Sequence, residues 1–303
     1  MKRNLFKQSI YLIAGVLILS SCEEDHNDEY APEKPIGGYN SVREISPDNL
    51  VGYWAFENSL TDSAGSLQAT PTNITYATGK KGQAFQGAAN GYAVINDAGT
   101  VLPALTSYTI TFWAYTAQAS KATGIFALNN SKDFWGSLDI YIEPYIQNGV
   151  PNVDSLFFKI HMNNDNVVWK GQFTDTKFGA AVNKWVHIAA TYDGDKSIYN
   201  VYVNGKQIGV NTAGNPQGTK GPKLHGDDPA THDIPYGLLK FVNASKIAFG
   251  AFQFQTVPSL NVGGTPQDWA TNFSGALDEF RIYNKALAES DVNSIYKLES
   301  LGR

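Results

Sequence analysis

From Asn49 onward the chain is a succession of short apolar runs punctuated by Gly, Asn, Asp and Pro. Residues 108–115 (YTITFWAY) and 185–192 (WVHIAATY) are β-branched and aromatic, which suits buried strands rather than helices. Residues 198–203 and 206–210 flank Asn204-Gly205, the dipeptide that suits a type I′ hairpin turn. Further strands are predicted at 138–142, 156–162, 167–173, 246–249 and 277–283. In two of these the alternation is clear. Leu138, Ile140 and Ile142 share one face, leaving Asp139, Tyr141 and Glu143 on the other; Leu156, Phe158, Ile160 and Met162 likewise oppose Phe157, Lys159 and His161. Only residues 288–298 carry a helical period, with Val292, Ile295 and Leu298 on one side. Many punctuated strands and one short C-terminal helix predict an all-β, antiparallel two-sheet sandwich over residues 49–303.

The first 48 residues obey a different pattern. Lys2, Arg3 and Lys7 precede an unbroken apolar run at 10–19, too short for the roughly 20 residues of a bilayer-spanning helix. Leu19-Ser20-Ser21-Cys22 then resembles a bacterial lipobox, and Cys22 is the only cysteine in the chain. The resemblance implies a signal peptide at 1–21 and acyl chains on Cys22, together enough for stable anchoring. Cys22-Glu23-Glu24-Asp25 is similar to the export signal of Bacteroidetes surface lipoproteins, implying a lipid-anchored outer-membrane protein facing outward. Outer-membrane transporter components are the protein partners such a location suggests. Residues 22–48, acidic and rich in Pro and Gly without any period, read as a disordered tether.

Charge removes one class of partner. Residues 49–303 hold 20 acids and 18 bases, so the domain offers no electrostatic footprint for nucleic acid. A single cysteine excludes a disulfide framework and any multi-cysteine zinc site within the chain.

The segments VGYWAFENSLTDSAG, KKGQAFQGAANGYAVI, TSYTITFWAY, NKWVHIAATYDG, YVNGKQIG and FSGALDEFRIYNKALAESDVNSIY follow one another between Val51 and Tyr296. This series resembles the laminin-G-like, concanavalin A-type jelly roll. The resemblance implies a curved sandwich but no single activity, since lectins, adhesion modules and glycoside hydrolases share that architecture. It also implies one structural calcium ion at the positions of Asp62 and Asp278, and no organic cofactor. The competing reading is that Asp62 caps a turn and Asp278 pairs with Arg281. The chain departs from the compact pattern by its length between Gly209 and Lys246.

Candidate chemistry is sparse. His187, between Val186 and Ile188, reads as a core residue, and neither a Gly-x-Ser-x-Gly elbow nor a phosphate-binding glycine loop is present. Laminarinase-type jelly rolls carry Glu-x-Asp-x-Glu on one strand face; here Asp139, Tyr141 and Glu143 stand at those positions, and a tyrosine cannot supply the central charge. The insertion at 211–243 contains His225, Asp227, Asp228, His232 and Asp233, as a polar rim or a weak metal set. Aromatics mixed with hydrogen-bonding groups suit sugars, which stack on rings while their hydroxyls seek donors and acceptors. Trp135, Asp139, Tyr141, Glu143, Phe157, Lys159, His161 and Trp269 form that candidate surface, with an ordinary solvated sheet face as the alternative. The expectation is a surface lipoprotein that captures polysaccharide without catalysis. The alternatives are an adhesion module for protein partners and a jelly-roll hydrolase or lyase.

Overall fold

The computed structural model describes residues 33–163, 171–208, 211–212 and 235–303. The expected sandwich forms: an eight-stranded and a nine-stranded sheet, with one α-helix, Glu289–Ser300. The first sheet runs Lys206–Ile208, Ile198–Val203, Trp185–Asp193, Tyr108–Tyr115, Ala276–Tyr283, Gln83–Gln86 and Thr75–Thr78, with Leu50–Trp54 also pairing with Ala276–Tyr283. The second runs Asn211–Thr212, Gly171–Phe178, Leu156–Asn163, Leu138–Glu143, Ala122–Leu128, Ile247–Phe249, Tyr92–Ile95 and Thr70–Thr72. Its ninth strand, Ala270–Asn272, lies parallel to Ala122–Leu128. The predicted hairpin turn has φ of 49° at Asn204 and 73° at Gly205, the left-handed pair that type I′ demands. The strand predicted at 167–173 begins instead at Gly171, and residues 164–170 lie outside the described residues. Among the described residues no helix is long and apolar enough to cross a membrane.

The inner faces meet in an aromatic core. Phe280 stacks at 5.2 Å on Phe112 of its own sheet and on Phe126 of the other, and meets Phe249 edge-on at 5.2 Å. Each such pair adds about 1 kcal/mol beyond burial. A bulge makes this possible. Asp278 lies opposite Trp113 but Arg281 opposite Thr111, so one extra residue enters the strand between them. Glu279 in that bulge has φ of 51°, and the phase change turns Phe280 inward while sending Arg281 to the outer face.

On that outer face the helix closes over buried charge. Arg281 donates to Glu279 and to Glu299 of the helix, and Trp113 Nε1 donates to Glu299 Oε2 at 2.6 Å. Burial pushes Glu299 up to about 7, with Arg281 opposing. His187 is wholly buried beside them, and burial followed by the Arg281 charge pushes it down to about 3. It is a neutral core imidazole, as its place in the strand suggested. Val292, Ile295 and Leu298 pack on Ala189, Tyr202 and Tyr283, which completes the apolar part of the seam.

The tether ends earlier than expected. Val42 and Ile45 are buried in the same apolar cluster as the helix, with Ile36 and Tyr39 packed against it. Tyr39 Oη donates to Asp291 at 3.0 Å, and Arg303 Nε donates to the Asn40 carbonyl at 3.0 Å. The compact unit accordingly starts at Pro35. Too few apolar residues stand there to show a period, yet they match the stripe left open on the helix.

Replacing Glu299 with Ala should leave Arg281 with Glu279 as its one remaining carboxylate and the Trp113 N–H without a partner. We expect a loss of about 3–5 kcal/mol in urea unfolding, the usual cost of breaking a buried ion pair. Glu299→Gln, which keeps an acceptor, should lose less.

Candidate functional site

Strands Leu138–Glu143 and Leu156–Asn163 are neighbours, with Asp139 opposite His161, Tyr141 opposite Lys159 and Glu143 opposite Phe157. The apolar alternates of both strands enter the core, so these six side chains share the outer face of the nine-stranded sheet. Two surroundings divide them.

At one end rings converge. The loop after Ala122–Leu128 is stitched by Gln253, whose Nε2 donates to the Asp133 and Phe134 carbonyls at 2.8 and 2.9 Å and whose Oε1 accepts from Asn130 N at 2.8 Å. Phe134 stacks on Phe254 at 4.4 Å, and Phe254 stacks on Phe252 at 5.0 Å. Trp135 lies 6.0 Å from both Tyr141 and Trp269, and 5.4 Å from His161. Trp269 is placed by the parallel strand pairing, its carbonyl accepting from Ala122 N at 3.2 Å. Trp269 is 44% and Phe134 36% exposed, whereas Phe252 and Phe254 are buried beneath them. Trp135 and Trp269, far apart in sequence, therefore join one surface.

Three candidates lie under that surface rather than on it. Tyr141, Asp139 and His161 are buried, because Trp135 and Phe252 lie against them. Burial pushes the Tyr141 phenol far up. Asp139 Oδ2 accepts from Gly136 N at 2.8 Å and sits 3.1 Å from His161 Nδ1, while Oδ1 is buried without a hydrogen-bond partner. Burial raises the Asp139 carboxyl and His161 opposes that rise.

At the other end charges satisfy one another. Lys159 Nζ lies 3.0 Å from Glu143 and 3.4 Å from Asp175, above the Phe157 ring at 4.6 Å. Asp139 and Glu143, the outer members of the hydrolase-like triplet, thus end in different surroundings. Phe134, Phe252 and Phe254 were absent from the sequence-based set. The runs Phe134-Trp135 and Phe252-Gln253-Phe254 were available signals, but each reads equally as core.

For calcium, the two expected carboxylates sit in separate backbone cradles. Asp62 Oδ1 accepts from Tyr53 N at 2.7 Å and Ala64 N at 2.9 Å, capping its turn, while its buried Oδ2 has no hydrogen-bond partner. Asp278 accepts from Glu279 N at 2.8 Å and Lys81 N at 2.9 Å, and burial pushes it up to about 8. Its proposed pairing with Arg281 does not form, because the bulge gives Arg281 to Glu279 and Glu299. Among the described residues no three carboxylate, imidazole or thiolate groups cluster as a metal set. Asp62 Oδ2 is thus the one oxygen of the pair that accepts no hydrogen bond, so calcium there would draw its remaining ligands from carbonyls and water. Cys22, His225, Asp227, Asp228, His232 and Asp233 lie outside the described residues.

Gly136 is closely enclosed beneath the rings. A Cβ there would lie 2.6 Å from Asp139 Oδ1 and 2.8 Å from the Leu128 carbonyl. Gly136→Ala should cost roughly 1–3 kcal/mol, as overpacking does, and shift the tryptophan emission reporting on Trp135. Denaturant unfolding followed by fluorescence reads both effects.

The fold is shared with proteins of known structure. Domain 4 of AbnA, a GH43 extracellular arabinanase from Geobacillus stearothermophilus determined with arabinotriose, aligns at a TM-score of 0.50 and 20% identity over 82% of this chain and 98% of that one. A botulinum neurotoxin type C structure, described with two ganglioside molecules in cell entry, aligns at 0.52 and 17% identity over 86% of this chain and 53% of that one. The binding domain of botulinum neurotoxin serotype D gives 0.51 and 15% over 85% and 52%. No curated protein sequence matches the chain. The Laminin_G_3 profile matches residues 86–251, more than half of the 303 residues, and the chain belongs to that family of the concanavalin A-like lectin/glucanases superfamily.

Proposed function

We propose that this domain binds glycans without cleaving them and is displayed on the outer membrane through lipidated Cys22. The observation that carries the reading is the ring platform of Phe134, Trp135 and Trp269, partly exposed yet backed by buried Phe252 and Phe254. Exposed rings on a rigid base suit the C–H faces of sugars, and prior ordering lowers the entropic cost of binding. The arabinanase domain in complex with arabinotriose and the neurotoxin whose cell entry depends on two ganglioside molecules support the same ligand class. The charged side chains nearby favour binding over hydrolysis. Glu143 and Asp175 are both committed to Lys159, and Asp139 is buried against His161. A pair of carboxylates facing one glycosidic bond, as hydrolysis requires, is not formed by these groups.

Affinity electrophoresis of the detergent-solubilised chain through polysaccharide gels tests the reading. Retardation should occur in at least one gel, and Phe134→Ala or Trp269→Ala should each weaken it roughly two- to tenfold, the worth of one stacked ring. No retardation across a broad panel that includes arabinan and sialylated glycans would overturn the reading. Release of reducing sugar would restore the hydrolase alternative.

The anchor has its own test. Cys22→Ala should move the protein from membrane to soluble fractions, and protease treatment of intact cells should remove the native form from the surface. Unchanged membrane retention of the variant would refute lipidation at Cys22.

A second reading, adhesion to protein partners, draws on a separate feature. Ile146, Val150 and Val153, in and beside the hairpin formed by Ile146–Gln147 and Val150–Pro151, are 58%, 65% and 73% exposed. An exposed apolar tip of this kind suits a protein contact better than a sugar.

A further inference from the structure

The shape of the platform narrows the ligand class, on the premise that the platform is a glycan site. Phe134 and Trp269 are its two most exposed rings, and both lean on buried Phe254, at 4.4 and 5.4 Å. They are not coplanar. Their centroids lie 6.3 Å apart and their planes are inclined by 48°. Trp135 repeats the relation, inclined by 47° to Trp269 at 6.0 Å.

These attitudes are fixed from below. The Phe134 carbonyl accepts from Gln253, its ring lies within 15° of parallel to Phe254, and Phe254 lies within 9° of parallel to Phe252. The Trp269 backbone is tied to Ala122 by the parallel pairing. Flattening the pair into one plane would break ring contacts that pack the base of the site.

A sugar stacks with its C–H face parallel to the ring beneath it. Two successive sugars resting on Phe134 and Trp269 must therefore be tilted against each other much as the rings are. A flat ribbon keeps successive sugar rings coplanar and can satisfy only one of the two aromatics. A coiled backbone turns each residue relative to the last and can satisfy both.

Charge around the platform selects further. The described charged groups on this face and its flanking loops are Asp133, Asp139, Glu143, Asp175 and Asp268 against Lys121, Lys132, Lys159 and Lys177, with His161 held against Asp139. Lys159 is shared between Glu143 and Asp175, and Lys177 lies over Phe157 and Tyr145 at the opposite end. Asp133 and Asp268 adjoin the two exposed rings in sequence, offsetting Lys132 and Lys121. Among the described residues the balance gives no cationic surplus for uronate or sulfate groups. We propose that the ligand is a neutral polysaccharide with a coiled backbone, two successive sugars of which lie across Phe134 and Trp269.

The detergent-solubilised chain should be run through gels containing α-1,4-glucan, β-1,3-glucan or polygalacturonate, and sedimented with microcrystalline cellulose. The expected result is retardation by a coiled neutral glucan, unchanged by added salt and reduced several-fold by Phe134→Ala and by Trp269→Ala separately. Thermal unfolding at the parent temperature would show both variants folded. Should either variant melt early, Phe134→Leu and Trp269→Leu, which keep apolar bulk without a flat face, provide the same comparison. Sedimentation with cellulose, or retardation by polygalacturonate alone, would overturn the coiled, neutral assignment and leave glycan binding standing. Retardation by a coiled glucan that survives both substitutions would overturn its placement on these rings. Failure to bind any of the four would overturn this proposal, and failure across the broader panel as well would remove the glycan reading itself.

Discussion

One extra residue in strand Ala276–Tyr283 governs how the two sheets and the helix fit together. Strict alternation from Leu277 would send Glu279 into the core and Phe280 out of it. The bulge reverses that phase, at the cost of holding a non-glycine residue at a φ of 51°. Such strain costs on the order of 1–3 kcal/mol and persists only where surrounding contacts fix it. Here the contacts are substantial: Phe280 touches rings from both sheets, while Arg281 and Glu279 join Tyr53 and Glu299 outside. The core and the helix seam are therefore two consequences of the same local geometry.

The outer faces pose a shared problem with two solutions. Each sheet buries its inner face against the other, yet each also carries apolar and aromatic residues outward. The eight-stranded sheet covers Ala189, Tyr202 and Tyr283 with the C-terminal helix and the segment around Val42 and Ile45. That cover is complete enough to bury the ionisable side chains Arg281, Glu279, Glu299 and His187. The nine-stranded sheet covers Tyr141 with Phe252 and Trp135, which with Phe254 form a second apolar cluster. This cover stops short, and Phe134 and Trp269 remain partly in solvent. Asp139 and His161 are consequently structural supports beneath the rings, and truncating them would disturb the platform from below.

The fold was legible because its signals are local. Alternation in Leu138–Glu143 and Leu156–Asn163, the Asn204-Gly205 turn and the period of Val292, Ile295 and Leu298 each act over a few residues. The candidate site was legible only in part, because its assembly is not local. Trp135 and Trp269 could be flagged as loop indoles, but only the parallel placement of Ala270–Asn272 beside Ala122–Leu128 brings them together. Alternation correctly placed Tyr141 and His161 on the outer face, and it could not show that Trp135 and Phe252 would cover them. The bulge at Glu279 was equally hidden, since DEFRIY reads as an ordinary strand.

Family membership explains the scaffold better than it explains the platform. The profile match ends at residue 251, so Phe134, Trp135, Tyr141 and His161 fall inside it while Phe252, Phe254 and Trp269 follow it. Half of the ring assembly is thus contributed by a segment that folds back over the outer face after the matched residues end. Gln253 joins the halves, with its side-chain amide spanning Asn130, Asp133 and Phe134. A buried amide satisfied at three points has few alternative arrangements, because each lost partner would leave a desolvated polar group behind. The angle between the exposed rings is accordingly a property of a particular returning loop on a common sandwich. On the proposed glycan reading, specificity would rest on that loop, and the shared fold supplies the rigid surface against which it is set.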